Sequence, residues 1–473
     1  MASSRPQTRR GESEVFFEVY DDQEDGSSID EREGPDTNSQ GGYRSDPEIE
    51  NSDGSDDTPD EAVQDDIEKF KNTFKGIAQR FRLINRIGEG TFSTVYKAED
   101  LLYDNYDNQW DIEQKDVSKW APPPLKRRRM GDGPMPPTRA HSRNQKPKYV
   151  AIKKIYVTSS PIRTQNELEL LHDLRGCDSV CPLITAFRYQ DQVVAVLPYF
   201  KHMDFRDYFR DMTVADIRLY FRSLFTALAA VHKHNILHRD IKPTNFLYDI
   251  RKGRGVLVDF GLAEKEGTDC TPCICRDTQS ERREKVLNAL ALTGQQPSTG
   301  YPKNDPRPSR RANRAGTRGF RAPEVLLKCT DQTTKIDIWS SGVILLTILS
   351  RRFPFFNSAD DIEALIEIAT IFGSRRMKAC ANLHGAIFET TIPTIGEKGF
   401  HLEKIILWAT NRSGKNEHGE EEKLPSDEVQ AVKFLQRCFE LDPQKRISAE
   451  EALRHEFLAE VGEDGDYDEV KML

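Results

Sequence analysis

The chain has 473 residues, 37% of them apolar and 31% charged. That is enough apolar material for one large two-lobed domain or two ordinary ones, and it excludes a small scaffold stapled by disulfides. The net charge of −9 is uneven: residues 11–66 hold 21 acidic and 2 basic side chains, so the remainder of the chain is net basic.

Residues 1–66 are rich in Asp, Glu, Ser and Gly and poor in aliphatics. Such a segment cannot offset the entropy of ordering, and a disordered acidic tail is expected. The opening MASSRPQTRR has no apolar run of the secretory kind, and the eight cysteines are scattered. A reducing intracellular compartment follows as the expectation. No apolar stretch approaches the roughly 20 residues that span a bilayer, so no membrane contact is expected. The longest run, SGVILLTIL at 341–349, suits a buried helix.

Ile67, Phe70, Phe74, Ile77 and Phe81 recur at helical spacing, which predicts a leading amphipathic helix over 67–80. FRLINRIGEGTFSTVYKAED (81–100) then reads as strand, glycine turn, strand, and opens a β-rich lobe running to 199. Residues 103–147 are proline-rich and basic without periodicity, an insertion after which YVAIKKIYV resumes strand character. A helix around RTQNELELLHDL and a buried strand in QVVAVLPYF complete this lobe. From 200 to 458 the periodicity is helical, broken by irregular insertions at about 265–312 and 390–425, and an acidic tail covers 459–473. A β-rich half followed by an α-rich half predicts an α+β chain of two lobes.

The chemistry concentrates in ILHRDIKPTNFLYD (236–249) and VLVDFGLAE (256–264). Transfer of a phosphoryl group needs a cover for the phosphates, a cation on them, oxygens for a metal and a carboxylate near the attacking hydroxyl. Asp240 is the candidate to orient or accept the hydroxyl proton, Lys242 to neutralise the moving phosphate, and Asn245 with Asp259 to hold Mg²⁺. Gly88 and Gly90 of IGEGTFSTV are candidates for the cover, with Ser93 where a third glycine is usual and Val95 against a base. Taken alone, glycines in such a turn more often serve backbone geometry. Lys153 in YVAIKKI would reach the phosphates if Glu167, with Glu169 its neighbour, fixed it from the next helix. Ala151, Leu197 and Tyr199 complete the nucleotide-facing set.

These segments, with GTRGFRAPEVLLK (316–328), IDIWSSGVILL and DPQKRISAEEAL, resemble the eukaryotic protein kinase domain over roughly 80–458. The resemblance implies the bilobal kinase fold with three insertions and the use of ATP and Mg²⁺. It further implies that Glu324 pairs with Arg446, that Asp337 braces the catalytic loop backbone, and that Thr317 bonds Asp240 and Lys242 in the serine/threonine pattern. AIKKIYVTSSPIR, DQVVAVLPYF, HRDIKPTNFLYD, NRAGTRGFRAPEVLLK and TTKIDIWSSGVILLTILSRRFPFF are similar to the Cdc7-type kinases, catalytic subunits of the kinase that licenses replication origins. That likeness implies a Dbf-type regulatory subunit, MCM helicase subunits as Ser/Thr substrates and a nuclear location. A pseudokinase scaffold would lack Lys153, Asp240, Asn245 or Asp259, and all four are present. The helix at 163–174 lacks cyclin-binding wording, which sets aside a cyclin-dependent kinase.

SRRANRAGTRGFRAPE brings Arg310, Arg311, Arg314, Arg318 and Arg321 to the end of a segment longer than an activation segment needs. Arg314, Arg318 and Arg321 are expected to select Asp, Glu or phosphoserine beside the target, because guanidinium binds such groups bidentately. Arg239 would ordinarily anchor a phosphorylated loop residue, yet no acceptor is well placed before GTRGF, so activation by a partner is expected. LKRRRM (125–130) reads as a nuclear import signal or a solvated basic loop, and sequence-specific nucleic-acid binding is not expected. Cys270, Cys273 and Cys275 in DCTPCIC offer three zinc ligands, but a fourth is missing locally and free thiols are the preferred reading.

Overall fold

The computed structural model describes residues 60–90, 92–106, 108, 110–111, 147–177, 179–267, 272–285, 314–412 and 422–459, and the backbone of Glu18 and Val19. The chain divides into two compact units, residues 1–164 with 182–199 and residues 165–181 with 200–473. Among the described residues no helix is long and apolar enough to cross a membrane.

The first unit is built on a six-stranded sheet made from β1 (Glu18–Val19), β2 (Phe81–Glu89), β3 (Ser93–Asp100), β4 (Tyr149–Ile155), β5 (Thr185–Tyr189) and β6 (Gln192–Pro198), in the order β1-β5-β6-β4-β3-β2. β1 runs parallel to β5, and the other pairings are antiparallel. Alternation along β3 is strict: Thr94, Tyr96, Ala98 and Asp100 are buried while the residues between them are half-buried. Tyr96 and Ala98 join Val150, Ile152, Val194 and Val196 on one face, and the helix Glu61–Thr73 covers it through Val63, Ile67 and Phe70. Burial of each large apolar side chain contributes about 1.5–3 kcal/mol, so this helix is part of the core.

The helix expected over 67–80 differs at both ends. It starts at Glu61, inside the expected tail, and stops at Thr73, because Gly76 takes a left-handed φ of 101° before a short second helix, Ile77–Arg80. Phe81 opens β2 instead. The rest of the expected tail, Glu18–Val19 apart, lies outside the described residues. The insertion placed at 103–147 begins later than expected: Tyr103 donates to Asp111 at 2.6 Å and Lys148 pairs with the same carboxylate at 2.7 Å, which leaves 112–146 outside the described residues.

The second unit rests on two long helices. Val214–Lys233 opens with a capping box between Thr213 and Asp216 and buries Tyr220, Phe221, Leu224, Phe225, Leu228 and Val231 along one side. Lys335–Ser350, which contains the long apolar run, is buried from Ile336 onward on every side. Trp339 in it lies 4.7 Å from the Phe439 ring. Two small antiparallel ribbons stand beside these helices: β7 (Ile236–Leu237) with β10 (Glu264–Lys265), and β8 (Phe246–Asp249) with β9 (Arg254–Leu257).

Residues 165–181, expected with the β-rich lobe, group with the second unit. Most of the helix Pro161–Asp173 groups with the second unit, where Asn166 donates to the Ala263 carbonyl at 2.8 Å and Lys265 meets Asp173 at 2.7 Å. Cys181 and Leu257 continue the tie with backbone bonds of 2.9 Å from Cys181 N to Leu257 O and from Leu257 N to Ser179 O. The stretch 390–425, read as irregular, holds the helix Leu402–Ala409, anchored by buried Leu402 and Ile406.

Candidate active site

Two residues on the catalytic stretch take a left-handed backbone that side chains rarely adopt: Arg239 (φ 69°) and Asp259 (φ 64°). Such conformations cost about 1–3 kcal/mol each and need surrounding structure to hold them. At Arg239 the holder is Asp337, fully buried on the helix Lys335–Ser350. One carboxylate oxygen accepts from the His238 amide at 2.9 Å and the other from the Arg239 amide at 2.8 Å, while His232 Nε2 lies 3.0 Å from the first. Burial alone would raise the Asp337 carboxyl, but the His232 hydrogen bond and the positive groups around it hold it below the ordinary 3.8. His238 Nε2 donates to the Val258 carbonyl at 3.0 Å, which leaves Nδ1 to accept from the Asp240 amide at 3.4 Å.

Around Asp240 three side chains converge. Thr317 donates to Asp240 Oδ1 through its amide at 2.9 Å and its hydroxyl at 2.8 Å. Lys242 Nζ lies 3.0 Å from Asp240 Oδ2 and 3.1 Å from Thr317 Oγ1. Asn245 donates its amide nitrogen to Asp240 O at 2.8 Å and to Asp240 Oδ2 at 3.0 Å. That orientation commits the NH₂ group and leaves the amide oxygen as acceptor, the atom a hard cation takes. Gly316 makes the approach possible: at φ 98°, a Cβ there would stand 2.2 Å from the Arg239 carbonyl. Nothing in the spacing of the sequence singled Gly316 out, although its place just before Thr317 was a cue.

Glu167 reaches the same neighbourhood. A Cβ on Gly261 would sit 3.4 Å from Glu167 Oε2 and 3.3 Å from Asp259 Oδ1, so both carboxylates crowd that glycine. Glu167 is buried, whereas Glu169 is exposed and accepts from Gln165 at 2.8 Å.

In the first unit, the sheet face opposite the core carries the predicted nucleotide-facing residues. Gly88 stands opposite Val95, Val95 opposite Lys153, and Ala151 opposite Leu197, all directly paired across strands and on one face. Ser93 opens β3, and Tyr199 lies just past β6 with its ring 5.4 Å from Lys97 Nζ. A Cβ on Gly88 or Gly90 meets nothing closer than 3.7 Å, and neither has a left-handed backbone. The turn itself therefore does not require glycine at these positions, and the space they leave fits a group that must come close to the backbone. Lys153 is buried.

Arg239 already has a counter-charge within the chain: its guanidinium lies 2.6 Å from Glu264, on β10. The three arginines expected to select substrate do come together, but two share one carboxylate of the chain and the third takes a backbone carbonyl. Arg314 and Arg321 reach opposite oxygens of Asp361 at 2.5 and 2.7 Å, and Arg318 donates to the Ala359 carbonyl. With Asp360 and Ile362 they line an open pocket of about 480 Å³. Farther in, Arg446 grips Glu324 with two bonds of 2.6 and 3.0 Å, both side chains enclosed. Glu264 and Asp361 were missed in the sequence, where each is one more acidic residue in a helical or loop context. Arg310, Arg311, Cys270, the basic run 125–130 and the tail 460–473 lie outside the described residues.

The protein kinase domain pattern matches residues 125–279 and 300–458. The chain is 52% identical over 396 residues to the cell cycle serine/threonine-protein kinase hsk1 of Schizosaccharomyces pombe, covering 84% of this chain and 76% of that protein. It is 36% identical over 389 residues to the probable cell division control protein 7 homolog 1 of Encephalitozoon cuniculi, covering 80% and 92%. The human cell division cycle 7-related protein kinase matches at 26% over 584 residues, covering 84% and 93%. The chain belongs to the Cdc7-type protein kinases.

A protein kinase domain generally implies ATP and Mg²⁺, and the residues of this Cdc7-type serine/threonine kinase of the cell cycle suit them. Asn245 and Asp259 offer only oxygen to a metal, the donor set that magnesium takes. ATP supplies the transferable phosphoryl group when bound. The glycine turn, Lys153 and the small Ala151, which share one sheet face, would form the complementary surface.

Proposed function

We propose that this kinase phosphorylates serine or threonine followed by acidic or phosphorylated residues in MCM helicase subunits, in the nucleus, and so triggers DNA replication, and that a Dbf-type subunit switches it on. The observation that carries the transfer reading is the Asp240 carboxylate, oriented by Thr317 on one oxygen and facing Lys242 with the other. Asp240 positions the substrate hydroxyl and takes its proton as the new oxygen–phosphorus bond forms and the bond from the γ-phosphorus to the bridging oxygen breaks, releasing ADP. Lys242 balances the charge that builds on the transferred group. Asn245 and Asp259 would hold Mg²⁺, and Lys153 would supply the cation for the inner phosphates.

Two further observations support the finer reading. Three guanidinium groups around one open pocket favour an acidic or phosphorylated neighbour of the target, which must displace Asp361 to bind. The pairing of Arg239 with Glu264 supports control by a partner, since that cation already holds a carboxylate where loop phosphorylation would put a phosphate. The basic run LKRRRM supports nuclear import, and replacing its Lys and Arg by Ala is expected to abolish nuclear accumulation of the tagged chain.

The test is phosphate transfer from ATP to an MCM N-terminal tail by the purified chain, alone and with a Dbf-type subunit, with Asp240→Asn as control. Activity that needs the subunit and vanishes in the variant is the expected result. Equal activity without the subunit would overturn the partner switch, and transfer by Asp240→Asn would overturn the role of Asp240.

A further inference from the structure

Far from the Asp240 cluster, three thiols and an imidazole meet in the helical unit. Cys273 and Cys275 come from the segment after β10, Cys329 from the loop after the helix Pro323–Leu326, and His384 from the residue capping the helix Ser374–Leu383. All four are buried, and their sulfur and nitrogen atoms lie within 4.8 Å of one another. The fourth ligand that DCTPCIC lacked is thus replaced by two residues more than fifty positions downstream, while Cys270 lies outside the described residues.

The distances identify the chemistry. Cys275 and Cys329 have their sulfurs 3.8 Å apart, and no disulfide links them. A disulfide would need about 2.05 Å. Two thiolates on one tetrahedral zinc, at about 2.3 Å each, stand about 3.8 Å apart. We propose that Cys273, Cys275, Cys329 and His384 form a structural zinc site that fastens the start of the activation-segment insertion to the helical unit. Three soft sulfurs and one nitrogen, fully enclosed, match a closed four-coordinate site with no position left for water, which separates it from a catalytic metal centre. Binding replaces the three thiol protons by one divalent ion.

The surroundings hold the ligand loops in place. Gln444 donates to the Cys275 carbonyl at 2.7 Å, and the Cys273 carbonyl accepts from the Arg276 amide at 3.2 Å. Arg276 also pairs with Asp331 at 2.7 Å, two residues beyond Cys329, and Gln332 donates to the Cys329 carbonyl at 3.1 Å. Cys329 itself donates its amide to the carbonyl of Glu324, the partner of Arg446, at 2.8 Å. The site therefore joins the base of the insertion to the most enclosed ion pair of the unit. Fixing two segments so distant in sequence removes loop freedom from the activation segment, and this holds whether or not the substrate assignment is right.

The test is metal content. The full chain, purified under reducing conditions and dialysed against a weak chelator, is expected to carry one zinc, and cobalt exchange is expected to give the absorption of a tetrahedral sulfur-rich site. Cys329→Ser and His384→Ala should lose the metal. Because either could fail to fold, His384→Cys is the second probe: it should keep the zinc and move the cobalt bands toward those of a four-thiolate site. Cys270→Ser should keep zinc unchanged. A wild-type chain without zinc whose thiols all titrate as free, iron or copper in its place, or zinc lost from Cys270→Ser would each overturn the assignment.

Discussion

Glu324 with Arg446 and Asp361 with Arg314 and Arg321 are built from the same groups, and burial alone separates what they do. The first pair is shut away, 0% and 2% exposed, with the guanidinium also donating to the Glu440 and Lys335 carbonyls at 2.8 Å. No solvent or ligand can take either partner's place, so this pair is structural. The second borders an open pocket, Arg314 being 45% exposed, where a stronger anion can replace Asp361. A carboxylate shared by exposed Arg314 and largely covered Arg321 at the rim of an open pocket thus reads as a stand-in for something else.

The largest effect is expected from breaking the closed pair. Glu324→Gln leaves the Arg446 charge enclosed without its counter-charge, and the loss should be about 3–5 kcal/mol, read as a lowered midpoint in denaturant. A loss below about 1 kcal/mol would place this pair with the open one.

Asp337 sharpens the comparison, because it is enclosed but titrates against histidine and amides. Its folded pKa lies below the ordinary 3.8, so its contribution is complete above that value and is lost as pH falls through the lower folded one. Unfolding measured from neutral to acid should therefore show a drop below about pH 4 that Asp337→Asn flattens.

At the open pair the effect moves from stability to selection. Arg321→Ala should cut the preference for peptides with an acidic or phosphorylated residue after the target by roughly tenfold, mostly in KM, while leaving kcat for neutral peptides near normal. The smallest stability change is expected for Asp361→Asn, within about 1 kcal/mol. The same variant should improve KM for acidic peptides, and a weakened preference for them would show that Asp361 organises the pocket.

Legibility in the sequence followed locality. Asp240, Lys242 and Asn245 stand within six positions, and a loop of that length brings them together by its own geometry. Alternation along β3 and β4 set which face is core, and with it the side on which Val95, Ala151 and Lys153 stand. What could not be read was long-range meeting: Glu264 on Arg239, Asp361 on Arg314, and His384 beside Cys273. Those contacts depend on where whole helices pack, and periodicity carries no record of that. Local overrides were hidden too. Gly76 ended a helix whose apolar spacing continues past it, and the left-handed residues Arg239, held by Asp337, and Asp259 have no glycine to announce them.

The central claim is that Asp240, oriented by Thr317, carries phosphoryl transfer. It is tested most directly by single-turnover transfer from ATP to an acidic serine peptide by wild type, Asp240→Asn, Thr317→Ser and Thr317→Val, each with the Dbf-type subunit. The account predicts no transfer by Asp240→Asn, near-normal transfer by Thr317→Ser and strongly slowed transfer by Thr317→Val with ATP binding unchanged. Normal transfer by Asp240→Asn, or equal rates for the two Thr317 variants, would contradict it.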